Sequence, residues 1–199
     1  QPMQFPRRIE WIDVHVHLIG GRGQFVDYDG AVEAALKAMD EAGIKTSVVM
    51  PPPQVAGTPP PYDYDAFISA IKRHAGRFAF LGGGGTLNPM LQDAGADVRE
   101  RVRRDFEAKA EEIIRQGAAG FGELAAHHLS HAPGHPYESV PADHPLLLLL
   151  ADIAARHDGV IDLHFDPVAE DMNLPGGLAS PPNPPVLRAN LDAFERLLA

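Results

Sequence analysis

The chain has no cysteine among its 199 residues. That absence excludes disulfides, thiolate metal ligands, iron–sulfur clusters and a cysteine nucleophile together. Any bound metal must therefore rest on histidines and carboxylates. Basic residues are also scarce, 17 Lys and Arg against 27 Asp and Glu, for a formal charge of −10 with His neutral. A surplus of that sign offers little attraction to phosphate backbones, so no nucleic-acid partner is expected. No apolar run approaches the roughly 18 residues a membrane helix needs. The longest, Leu146 to Ala151, fits a buried helix, and no membrane partner is expected either. At 45% hydrophobic and 22% charged residues, the composition suits one folded unit rather than a disordered chain. The first residue is Gln1 rather than an initiator Met, so a removed leader is one expectation, and cytoplasmic and periplasmic locations both stay open.

What is present is a regular alternation of short apolar runs with longer amphipathic ones. Strands are expected at Trp11–Leu18, Thr46–Met50, Phe78–Leu81, Ala119–Leu124 and Val160–Phe165, each short and rich in β-branched or aromatic residues. The segments between them carry the helical period. Val32, Ala35, Leu36 and Met39 form one stripe, with Asp29 as the expected N-cap and Gly43 as the stop. Val98, Val102, Phe106, Ala110 and Ile113 form another, ended by Gly117. Asp143 with Pro145, and Asn183 with Pro184, read as two further helix starts. Five strand–helix units imply a parallel sheet and the α/β class. An open doubly wound sheet and part of a (β/α)8 TIM barrel both fit this pattern.

The loops after the strands hold much of the proline and glycine: Pro51–Pro53, Pro59–Pro61, Gly82–Gly85, Pro181–Pro182 and Pro184–Pro185. They read as rigid connections and as a shaped rim at the carboxyl ends of the strands. The Gly82–Gly85 run lacks the Lys-Ser/Thr of a phosphate-binding loop and the spaced glycines of a dinucleotide fingerprint, so nucleotide binding is not expected.

Along Trp11-Ile12-Asp13-Val14-His15-Val16-His17-Leu18, the period of two sets Ile12, Val14, Val16 and Leu18 on one face and Asp13, His15 and His17 on the other. Two imidazoles on one face can share a divalent ion. Gly120-Phe121-Gly122-Glu123 brings a carboxylate to the end of the fourth strand, after glycines that permit close backbone approach. Ile161-Asp162-Leu163-His164 brings an imidazole to the end of the fifth. Each has a plain structural explanation when taken singly. Together, His15, His17, Glu123 and His164 supply nitrogen and oxygen ligands suited to zinc or another first-row ion.

These three segments resemble strands one, four and five of the amidohydrolase superfamily, and most closely its amidohydrolase-related branch. The resemblance implies a (β/α)8 TIM barrel of which this chain supplies about five βα units. Residues 1–199 would then be the N-terminal part of a single barrel domain, with strands six to eight not present in the sequence. It also implies one or two divalent metals, zinc first, held by His15 and His17 at the strand-one positions and His164 at the strand-five position. Glu123 stands where many members carry a carboxylated lysine, so its role as a ligand is the least fixed of the four. The family's later His and its general-base Asp would lie beyond Ala199, leaving the catalytic base unassigned here.

The implied activity is metal-assisted hydrolysis of an amide, ester or lactone bond in a small molecule. Decarboxylation within the same branch, a TatD-type metal-dependent deoxyribonuclease and a metal-free small-molecule-binding barrel are the alternatives. The deoxyribonuclease fits less well, because Ala125-Ala126-His127-His128 replaces its usual Gly-Leu-Asp segment and the charge opposes DNA. Substrate contacts are expected from Asn88, His127, His128 and Asp166 in the strand-end loops. His131, His135 and His144 read as structural or solvent-facing. Assembly into a homo-oligomer stays open.

Overall fold

A computed structural model describes residues 10–20, 26–57, 62–179 and 181–199. The Pro59–Pro61 run lies outside the described residues. The chain divides into two compact units, one built from residues 1–50 and 64–80 and the other from 51–63 and 81–199.

In the first unit, β1 (Trp11–Val16), α1 (Tyr28–Ala42), β2 (Ile44–Val49), α2 (Tyr64–Ile71) and β3 (Phe78–Phe80) follow one another. The strands pair in parallel in the order β1-β2-β3. Parallel neighbours need a crossover, and α1 and α2 supply it. Helix α1 is capped by Asp27, whose Oδ1 accepts the Gly30 N–H at 2.8 Å, rather than by Asp29. Asp29 sits in the first turn, where its charge suits the helix dipole and pairs with Arg73. Gly43 ends the helix in the left-handed conformation, φ 75°, and returns its N–H to the Met39 carbonyl. Val32, Met39, Val49, Phe67 and Ile71 are buried. The apolar face expected of β1 is not: Ile12 and Val14 are 62% and 64% exposed. Strand β1 lies at the edge of this sheet with β2 alone beside it.

The second unit holds β4 (Gly82–Gly83), α3 (Leu87–Asp93), α4 (Glu100–Arg115), β5 (Gly120–His128), β6 (Glu138–Ser139), α5 (Pro145–Arg156), β7 (Val160–Phe165), β8 (Met172–Asn173), β9 (Val186–Leu187) and α6 (Leu191–Leu198). Strand β5 is its centre. All nine residues are buried, with β4 parallel to its first part, β7 parallel to it from Gly120 to His127 and β6 antiparallel against its end. A strand covered on both faces tolerates an unbroken apolar or small-residue run, as Phe121, Leu124, Ala125 and Ala126 provide. The antiparallel pair β8–β9 forms a separate two-stranded sheet. Its Leu187 joins Leu129 and Val168 in a small cluster.

The expected TIM barrel is therefore corrected. The described residues form a mixed α/β fold of three sheets with two to four strands each and six helices, without a closed barrel. The expected third strand, Phe78–Leu81, is shorter in the structure: β3 ends at Phe80 in the first unit, and β4 belongs to the second. No described helix is long and apolar enough to cross a membrane.

One glycine fixes how closely β5 and β7 pack. Gly120 has φ 150°, and a Cβ there would lie 2.0 Å from the Val160 carbonyl oxygen. Gly120→Ala should cost about 3 kcal/mol or more, because both the backbone angle and the contact forbid the side chain. A urea midpoint within error of the parent's would contradict this packing.

Candidate functional site

In the first unit, His15 and His17 present their rings together, with Nε2 atoms 3.2 Å apart. His15 lies on β1 and His17 directly follows its last residue, Val16. The orientation of His17 is set by Met50, at the end of β2, whose carbonyl lies 2.8 Å from Nδ1. A carbonyl only accepts, so Nδ1 carries the proton and Nε2 is left with its lone pair, the arrangement typical of metal-bound imidazoles. His15 is exposed and His17 half-buried.

In the second unit, Glu123 is buried, 6% exposed. Its backbone N–H donates to the Pro51 carbonyl at 2.9 Å. The carboxylate Oε1 stands 2.9 Å from His164 Nδ1, and His164 Nε2 stands 3.4 Å from Asp166 Oδ2. His164 is thus held between two carboxylates, while Asp166 also accepts the Leu129 N–H at 2.8 Å. The His128 ring packs edge-on against His164 with centroids 4.2 Å apart, and His135 lies 4.7 Å beyond it.

His15 and His17 are two imidazoles of the first unit that could share a divalent ion, and with no thiolate in the chain they suit zinc or a neighbouring first-row ion. In the second unit, the nitrogens of His164 face Glu123 and Asp166.

The four residues expected to meet substrate have different surroundings. Asn88 is fully buried, and its amide is spent on the protein. Its Oδ1 accepts the Ala125 N–H at 2.9 Å, and Nδ2 donates to the Gln54 carbonyl at 3.1 Å and to Glu138 Oε1 at 2.6 Å. His127 and His128, expected in a loop, belong to β5. His127 Nδ1 bonds the Asp166 carbonyl at 2.7 Å, whereas His128 turns toward His164. His144 is structural: it caps α5 by accepting the Leu146 N–H.

Glu138 was not legible as a site residue, because the two-residue strand that carries it has no periodicity of its own. It is buried beside Asn88, and its Oε2 and His128 Nδ1 have no hydrogen-bond partner. Burial holds the His128 pKa below its ordinary value, with the neighbouring His164 and His135 adding to the effect and the Glu123 charge opposing it. Burial also raises the Glu138 pKa above the ordinary 4.5, the Asn88 bond opposing and the Glu123 charge reinforcing it. The folded chain therefore keeps the Glu138 proton over a pH range in which the unfolded chain has released it. The stability associated with this group is fully present below the ordinary value and is lost as pH rises through the raised one. Glu138→Gln, which keeps the Asn88 bond, should raise the thermal midpoint at neutral pH and leave it unchanged near about pH 4. An equal shift at both pH values would show that ionisation is not the cause.

The Gly82–Gly85 run also has an internal explanation. Buried Asp63 accepts the N–H of Gly83 at 2.9 Å, the N–H of Gly85 at 3.2 Å and the hydroxyl of Thr86 at 2.7 Å. The donors that a phosphate would use are taken by a carboxylate of the same unit. Comparison with protein-family models, curated proteins and solved structures returned no match to this chain.

Proposed function

We propose that this chain carries the metal centre of a metal-dependent hydrolase of the amidohydrolase kind, acting on an amide, ester or lactone bond of a small molecule. The observation that carries the reading is the His15–His17 pair at the end of β1, with its Nε2 atoms 3.2 Å apart and His17 fixed by the Met50 carbonyl. His15 and His17 would hold one divalent ion, zinc first. When bound, that ion polarises a substrate carbonyl and makes a water molecule far more acidic. The chain's own groups set the stage for this. Met50 keeps the His17 lone pair on Nε2. His164 Nδ1 restrains the Glu123 carboxylate, and Asp166 restrains His164 from its other nitrogen. Buried Glu123 and half-buried His164 limit the water around the carboxylate, which strengthens its attraction for a cation.

The test is turnover against lactones, esters, amides, aromatic carboxylates and single-stranded DNA, before and after chelation. Zinc-restored cleavage of the first three classes is expected. Carbon dioxide released from the aromatic acids would favour a decarboxylase, and DNA cleavage a nuclease. Metal below about 0.2 equivalents that added zinc does not restore would leave only a binding module.

A further inference from the structure

The end of β5 and the short strand β6 make an antiparallel ribbon in which His127 faces Ser139 and His128 faces Glu138. Directly opposed residues share a face, and successive residues alternate. One face therefore carries His128 and Glu138, beside His164. The other carries His127 and Ser139, and it opens on a cleft of about 670 Å³ within the second unit. That volume lies in the range of small-molecule sites, about 300–1,000 Å³.

The chemistry lining this cleft is mixed. His127 is buried, and its Nδ1 proton is committed to the Asp166 carbonyl at 2.7 Å. With Nδ1 so committed, Nε2 is the ring nitrogen left to meet a ligand hydroxyl. Tyr137 stands edge-on to it, with its hydroxyl 3.5 Å from Nε2. Arg188 and Arg196 also line the cleft, against Val140 and Val186. Each arginine is steadied by one carboxylate, Arg188 by Asp171 and Arg196 by Asp143 at 2.6 Å. One such pairing leaves part of each five-donor guanidinium for a ligand.

We propose that this cleft binds a small organic anion bearing a hydroxyl group. Its carboxylate faces Arg188 and Arg196, its hydroxyl donates to His127 Nε2, and its apolar body lies on Val140 and Val186. The site uses none of the residues assigned to the metal, so the two readings stand or fall separately.

The probe is 4-hydroxyphenylacetate, titrated calorimetrically into the whole chain. One saturable site, filled by about 5 mM ligand, is expected. Its neutral amide should bind at least about tenfold more weakly, as should phenylacetate, which lacks the hydroxyl. Arg188→Gln and Arg196→Gln should each weaken binding by a similar factor, while chelator and His15→Ala should leave it unchanged. The ligand comparisons need no variant to fold. Absence of saturation, equal binding of the amide or of phenylacetate, indifference to both arginine changes, or loss of binding on chelation would each overturn the proposal.

Discussion

Exchanging His15 or His17 for Ala should leave the chain with less than about 0.1 equivalents of zinc after purification without chelator, against about one for the parent. Each imidazole would supply one protein bond to the ion. Even partners that only orient a ligand are typically worth about 10–100-fold in affinity, so loss of a ligand itself should cost more. The fold should survive, because His15 is exposed and His17 half-buried at an edge strand. Truncation there opens no cavity in the core. Circular dichroism should match the parent while metal and turnover disappear together. Parent-like metal content in either variant would remove that residue from the site.

Asp63→Ala should be the most costly of the proposed polar substitutions, at about 3 kcal/mol or more. Three donors converge on the Asp63 carboxylate, two from glycine backbone and one from Thr86. Removing it leaves the buried Gly83 N–H and the part-buried Gly85 and Thr86 donors beside an apolar methyl group, and hydrogen bonds to charged groups are worth about 1.5–3 kcal/mol each. The loop cannot easily shift to find other partners. A Cβ on Gly85 would lie 2.1 Å from the Tyr62 carbonyl oxygen, which shows how closely backbone meets backbone there. Asp63→Asn keeps one acceptor and should lose about half as much. Urea unfolding would give both values, and a loss below about 0.5 kcal/mol for the Ala variant would mean that solvent replaces the carboxylate.

Elements whose signals are local were readable from the amino-acid order. The period of two along β1 put His15 and His17 on one face, and the structure brings their rings together. The stripe from Val32 to Met39 and the stop at Gly43 define α1. Elements whose identity comes from a distant partner were not readable. Asn183 before Pro184 looks like a helix start, yet its amide bonds both the N–H and the carbonyl of Ser130 at 2.8 Å. The last helix instead begins at Leu191 after Asn190. Strand β5 continues beyond Leu124 because β7 and β6 both pair with its far end, and a two-residue strand such as β6 leaves no periodic trace. The barrel was implied by the resemblance, whereas five strand–helix units by themselves would complete an open doubly wound sheet. Neither reports that β3 and β4 fall in separate sheets.

The same distinction separates the site residues. The histidines of β1 announce themselves because a strand should not place two polar rings on a face without a reason. Asn88 and Glu138 act through one another at a sequence separation of 50, so nothing near either residue marks the pair.

The central claim is that the two imidazoles of β1 meet a common cation. Zinc-edge X-ray absorption on the zinc-loaded chain tests it most directly. The account predicts a shell of nitrogen and oxygen at about 2.0–2.2 Å, without sulfur, carrying the outer scattering of two imidazoles that vanishes with His15 and His17. Oxygen-only coordination, or imidazole scattering that persists in the doubly substituted chain, would contradict it.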